Sequence, residues 1–285
     1  MSTSATPNIT KVGRGRTKVR FGGKARRFTG IRLLLMRAWL PVGLLVLWWL
    51  ASAGSQNLYF PPLETILTTL RADWFGSAFT MHLVPSILKF IAGFLIASVL
   101  GVVFGLLVGM YPLLRAAVDP ILQFLRSLPP PVLLPIGLLL FGIGPAMNIS
   151  IIVAGAIWPT LLNTIDGVRS LDPQQVDMAR SYKLTRFQRI RYVILPNAGP
   201  QIFAGLRTTL QMSIILIVVS EMIASTNGIG FYVLNSQQSF AVPQTWAGTF
   251  VLGILGYLAN LIFIRFEARA LQWQTGLRMS TGTGA

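Results

Sequence analysis

The sequence predicts an all-α polytopic membrane protein with six transmembrane helices, and three observations carry that prediction. Of its 285 residues 53% are apolar and only 11% are charged, where a soluble domain holds about a quarter of charged residues. The apolar residues gather in six runs, each long enough for the roughly 20 residues that a bilayer crossing needs. The basic residues fall almost entirely on one side of those runs, which is the pattern that membrane insertion imposes.

Ahead of the first run lies a basic tail, 1–32. Ten of the 24 Lys and Arg residues stand between Lys11 and Arg37 with no acid among them. Gly13, Gly15, Gly22 and Gly23 are interleaved with them, so the tail buries no core and is expected to be disordered. Its position before an apolar span keeps that end in the cytosol and lets it lie against anionic membrane lipid. The net charge of +16 raises nucleic acid as a partner, but the tail has neither stacking aromatics nor a folded module, so no nucleic-acid partner is expected. Nor is it a cleaved signal, since the run that follows is long and lacks a small-residue cleavage pattern.

The first span runs over 33–53, with Trp39, Trp48 and Trp49 as interfacial or lipid-facing anchors. A mostly polar stretch with Pro61, Pro62, Asp73 and His82 leads to the second, 84–110. There Gly93, Gly101, Gly105 and Gly109 lie four or eight apart, which sets small residues on one face for close helix packing. The third span covers 120–141, the fourth 147–165, the fifth 201–223 and the sixth 246–266. Between the fourth and fifth lies a polar loop, 166–200, and a short tail, 271–285, closes the chain. Six spans put both termini on one side. That side carries the tail, Arg115, six basic residues from Arg169 to Arg191, and Arg265, Arg269 and Arg278, whereas the other holds Arg71 and Lys89. Both termini and the loop are therefore expected in the cytosol.

Little here speaks for chemistry in the chain itself. There is no cysteine and a single histidine, His82, so no metal site is expected. No phosphate-binding G-x-x-x-x-G-K-[ST] motif is present, since Gly23-Lys24 is followed by Ala25. A membrane-embedded enzyme would need a convergent nucleophile and base, and none is seen. Three features stand out as candidates for a passage. Prolines at 129, 130, 131 and 135 forbid a continuous helix from Arg126 onward, and the break is either a kink near the interface or a wall of a water-filled path. Glu221, late in the fifth span, either lines that path or reaches water or a neighbouring helix end. Asn163, Gln211 and Ser213 either line it or bond from helix to helix.

The stretch 171–200, LDPQQVDMARSYKLTRFQRIRYVILPNAGP, has punctuation of its own. Asp172-Pro173 reads as an N-cap and a first-turn proline, opening a short helix to about Tyr182. Thr185 with Gln188 is a capping box for a second, which Pro196 is expected to close. Leu184, Phe187, Ile190 or Arg191, and Ile194 recur at helical spacing while Arg186 and Arg189 face away. From pattern alone this is either a basic loop held in the cytosol by insertion bias or an element with a partner to grip.

VDMARSYKLTRFQRIRYVILP resembles the EAA loop of ABC importer permeases, E-A-A-x-x-x-G and, some nine residues on, I-x-L-P. Asp177, Met178 and Ala179 stand at the E-A-A positions, Lys183 at the glycine, and Ile194, Leu195 and Pro196 at the end. FPPLETILTTL, FLRSLPPPVLLPIGLLLFGIG, WPTLLNTIDGVRSLDP and VVSEMIASTNGIGFYVL resemble the nitrate, sulfonate and taurine branch of the same family, so the likeness runs from about Phe60 to the end. It implies a type I ABC importer permease fold in a bacterial inner membrane. It also implies a non-catalytic subunit, a second permease copy or paralogue, two ATPase subunits that bind the ATP, and an extracytoplasmic binding protein that delivers a small oxyanion or organic acid. Asp177, Met178, Ala179, Lys183, Thr185 and Pro196 would belong to the surface that couples to the ATPase, with Asp177 and Ala179 in contact. The rival is an ATP-independent channel or scaffold. A glycine at 183 would permit a left-handed turn, so lysine there means either a different turn or an accepted strain of about 1–2 kcal/mol.

Overall fold

A computed structural model describes residues 30–272, all of them helix, turn or connecting loop. The predicted tails 1–32 and 271–285 lie outside these residues but for their innermost few. The chain divides into two units, 1–48 and 49–285. Within the first, α1 (Gly30–Ser52) begins; the second holds α2 (Leu63–Trp74), α3 (Val84–Met110), α4 (Pro112–Ser127), α5 (Leu133–Phe141), α6 (Pro145–Arg169), α7 (Pro173–Ser181), α8 (Arg186–Arg189), α9 (Leu195–Ala224), α10 (Ile229–Gln238) and α11 (Val242–Ala270).

Among the described residues four helical stretches are long and apolar enough to cross a membrane: Phe79–Met110, Pro145–Arg169, Arg186–Ala224 and Val242–Ala270. The run 120–141, expected as one span, is instead the bent pair α4 and α5, which meet at 85°. Pro129, Pro130 and Pro131 supply no N–H, so the helix stops at Ser127 and restarts after a 3-10 turn at Pro130–Val132. The run 33–53 is described in its later part as the shorter apolar helix Val42–Ser52. Six runs are compatible with this arrangement.

The centre of the second unit is α3, α6 and α9. A methyl group placed on Gly93, Gly101, Gly105 or Gly109 would come within 2.6–2.9 Å of carbons of Ile152, Thr160, Thr164 and Val168, so the small-residue face read from sequence is where α3 meets α6. On its other side α6 is tied to α9. Thr160 and Thr209 share a 2.7 Å hydrogen bond, Thr209 Oγ1 lies 2.8 Å from the Ala156 carbonyl, and Asn148 Nδ2 donates to Ser220 Oγ at 3.1 Å. In an apolar solvent such bonds satisfy groups that have no water to turn to. Phe90, Met147, Ile152, Leu216 and Phe263 fill the space between.

Two helices escaped the sequence reading. α2 buries Leu63, Ile66 and Trp74 along one face. α10 lies against it, with Trp74 edge-on to Tyr232 at 5.1 Å and the Tyr232 hydroxyl donating to Asp73 Oδ2 at 2.5 Å. Burial first, and then the Asp73 carboxylate, raise the Tyr232 pKa above the ordinary phenol value.

Candidate functional site

The loop from Leu171 to Pro200 is built from its own residues. Asp172 Oδ1 accepts from the Gln174 N–H at 2.9 Å and starts α7. At the far end Lys183 N–H donates to the Arg180 carbonyl at 2.9 Å and Leu184 N–H to the Ala179 carbonyl at 3.1 Å. These are the two bonds of a Schellman ending, with Lys183 at its left-handed position, φ 51°. The strain is therefore accepted. Thr185 then opens α8 with both halves of a capping box: its N–H donates to Gln188 Oε1 at 2.9 Å, and Gln188 N–H to Thr185 Oγ1 at 3.3 Å.

One expectation about this loop is corrected. Pro196 does not close the second helix: α8 passes through a π turn, Ile190–Ile194, into α9, with Pro196 inside the latter. The Leu195 N–H bonds to the Ile190 carbonyl, and this wider turn gives the proline ring room that an α turn denies it. The same device precedes Pro85, where the π turn Phe79–Leu83 runs into α3. Phe187, which recurs at helical spacing with Leu184 and Ile194, is 69% exposed. Ala179 is 1% exposed and seats α7 on its own chain. The outward side shows Asp177, Met178, Arg180 and Tyr182, with Asp177 and Arg180 in a 3.5 Å exposed pair that adds little stability.

Glu221 is 1% exposed. Its carboxylate takes Lys89 Nζ at 2.6 Å, the Ser86 hydroxyl at 2.7 Å and the Gly230 N–H at 3.0 Å. Lys89, 4% exposed, also donates to the Asn227 carbonyl and side-chain oxygens, both at 3.3 Å. The network closes through the Ile229 N–H, which donates to Ser86 Oγ at 2.8 Å. It joins the start of α3 to the end of α9 and the turn into α10. Gly228, at φ 115°, is required there, because a Cβ would stand 2.2 Å from the Glu221 carboxylate. Sequence reading took Lys89 and Glu221 one at a time and missed the pair.

The remaining candidates for a passage separate. Ser213 is buried and returns its hydroxyl to the Thr209 carbonyl at 2.7 Å, and Asn163 donates to the Pro159 carbonyl at 2.8 Å. Pro130 packs where α5, α6 and α9 converge: a Cβ on Gly155 would lie 2.9 Å from Pro130 Cβ and 2.6 Å from Leu216 Cδ1. Arg126, in the last turn of α4, is exposed and makes no ion pair among the described residues.

Residues 97–271 match the sequence profile of the binding-protein-dependent transport system inner membrane component, a stretch that contains α6, α9, the loop and Glu221. The chain belongs to that family. Relatives of these transport components include the taurine transport system permease protein TauC of Escherichia coli (strain K12), 31% identical over 81% of this chain and 86% of the relative. The bicarbonate transport system permease protein CmpB of Synechococcus elongatus is 33% identical over 81% and 86%. The nitrate import permease protein NrtB of Leptolyngbya laminosa is 30% identical over 77% and 81%. Among solved structures, an inward-facing MetNI methionine ABC transporter chain superposes with a TM-score of 0.56 at 19% identity, over 73% of this chain and 98% of that one. At that identity the likeness shows the fold.

In this transport component the lysine at the glycine position of the loop has a measurable consequence. Lys183→Gly removes a left-handed penalty of about 1–2 kcal/mol and restores about 0.5–1 kcal/mol of chain entropy to the unfolded loop. The net expectation is slower amide hydrogen exchange in α7, by roughly 0.5–1 kcal/mol of opening free energy. Lys183→Val, β-branched at the same φ, is expected to speed it.

Proposed function

We propose that this chain is the permease subunit of an ATP-driven importer in a bacterial inner membrane. Both termini and the loop 166–200 lie in the cytosol, where the basic residues concentrate. A second copy or paralogue completes the passage, two ATPase subunits bind and hydrolyse ATP, and an extracytoplasmic binding protein delivers the cargo. The cargo is a small oxyanion or organic acid, the class to which the taurine, nitrate and bicarbonate of its relatives' names belong. The chain itself catalyses no reaction.

One observation carries this reading: α7 is a short helix capped at both ends by its own chain, seated through Ala179, and exposed along Asp177, Met178 and Tyr182. A stiff element of this kind transmits displacement as a rigid body. Met178, 48% exposed, and Tyr182, 76% exposed, offer apolar area for a cleft, while Asp177 and the surrounding basic residues fix register. Lys183 and Thr185 hold the turn that follows, and Pro196 the start of the helix that receives the motion. Closing of the ATPase pair on ATP would draw two such helices together and tip the passage outward, and hydrolysis would reset it.

The test is recovery of a tagged chain from its native membrane in mild detergent. The wild type is expected to bring down an ATPase with a phosphate-binding loop. Asp177→Lys reverses one charge on the exposed face and is expected to lose that ATPase while inserting normally. Undiminished recovery with Asp177→Lys would place the contact elsewhere.

A further inference from the structure

We propose that Arg126 is the anion-selecting residue of the passage, a guanidinium held at mid-span to meet the oxygen face of a small oxyanion. This rests on the importer reading above and adds to it where in the permease the charge of the cargo is sensed.

Depth comes first. Leu122 is buried with Leu161 and Ile165, and Pro130 lies against Gly155. The Arg126 backbone between them is therefore level with the stretch of α6 from Gly155 to Leu161. At 1.5 Å per residue that is about 12–21 Å from the Arg169 end of the helix. A charged group at such a depth is expensive in lipid and is kept where it meets water or a partner. Arg126 is exposed and has no acid partner among the described residues; the acid on its helix, Asp119, pairs with Arg115 at 3.4 Å.

Direction follows from the helix period. Arg115, Asp119, Gln123 and Arg126 fall within one narrow stripe of α4 at 100° per residue. Leu113, Ile121 and Phe124, 89%, 56% and 65% exposed, take the opposite side. Beside the side that packs on α6 through Leu122 and Val118, the helix thus presents an apolar face suited to lipid and a polar stripe suited to water, and Arg126 is on the stripe. A further observation places polar groups at the same depth. Thr209 is bonded to Thr160 and to the Ala156 carbonyl, which brings its exposed neighbours Thr208 and Gln211 on α9 level with Arg126. Between the two helices the Pro130 turn, level with the side chain of Leu216, interrupts the backbone, as is tolerated at this depth only where a cavity or protein covers it.

The chemistry fits one class of cargo. A guanidinium offers a planar fork of donors that pairs with two oxygens at once, and it stays charged at every physiological pH. Sulfonate, nitrate and bicarbonate all present such a pair of oxygens.

The test uses the full transporter, and because this chain has no native cysteine, labelling read on this chain reports the single introduced cysteine. With the membrane-impermeant anionic reagent methanethiosulfonate ethylsulfonate, Arg126→Cys is expected to react and Phe124→Cys to stay unlabelled. In proteoliposomes supplied with ATP and binding protein, Arg126→Gln is expected to lower uptake of nitrate, taurine, methanesulfonate or bicarbonate, whichever the wild type carries, by about tenfold or more. Arg126→Lys, which keeps charge but loses the fork, is expected to fall between. An inert Arg126→Cys beside a labelled Phe124→Cys would overturn the proposal, as would wild-type uptake by an Arg126→Gln complex that still holds its ATPase. A wild-type complex that hydrolyses ATP and moves none of the four anions would overturn the cargo reading and this proposal together.

Discussion

Glu221→Ala is expected to destabilise the protein by about 3–5 kcal/mol, because it leaves the Lys89 ammonium buried without a counter-charge. At 4% and 1% exposure neither partner reaches water, and the Gly230 N–H and Ser86 hydroxyl lose their acceptor as well. The measurement is the thermal midpoint in a lipid nanodisc, with the double variant Glu221→Met, Lys89→Met as the comparison. Replacing both ions with apolar groups removes the uncompensated charge, so the double variant is expected to recover most of the loss. A single variant as stable as wild type would mean that water reaches the pair, and the network would not be the clasp between α3, α9 and α10 described above.

Ala179→Trp is expected to separate ATP hydrolysis from uptake. Ala179 is the point at which α7 seats on its own chain, and an indole there must lift the helix or rotate it, since overpacked sites do not absorb such volume. The ATPase would still bind and turn over, but its closing stroke would reach the bundle through a displaced lever. Coupling free energies of about 1–3 kcal/mol correspond to 5–150-fold effects, and uptake per ATP is expected to fall within that range. Ala179→Ser, nearly the same size, should leave it intact. Normal coupling in the tryptophan variant would remove α7 from the pathway of force.

Four of the spans were legible because their signal is local: some twenty apolar residues in a row and glycines at helical spacing need no knowledge of the neighbours they meet. The caps of the loop were legible for the same reason, since Asp172, Thr185 and Gln188 bond within four residues of themselves. The break after Arg126 could be read from the prolines, though its 85° angle could not. Pro196 misled because a π turn upstream absorbs its ring, and nothing in the residue type of Ile190–Ile194 announces that turn. The burial of Ala179 depends on what lies under the loop, and Lys89 meets Glu221 only once α3 and α9 are side by side. Both are products of tertiary packing, invisible to spacing. α2 and α10 are short and half-polar, which hides them from a search for membrane spans.

In the proposed function this chain moves an anion inward at the expense of ATP hydrolysed by a partner. The most direct measurement is uptake into proteoliposomes that contain the permease and its ATPase, with ATP enclosed beside the nucleotide sites and binding protein and labelled anion outside. Accumulation above the external concentration is expected, abolished when ATP is replaced by a non-hydrolysable analogue. Equilibration to the external concentration that proceeds equally without ATP would contradict it and would make the chain a channel.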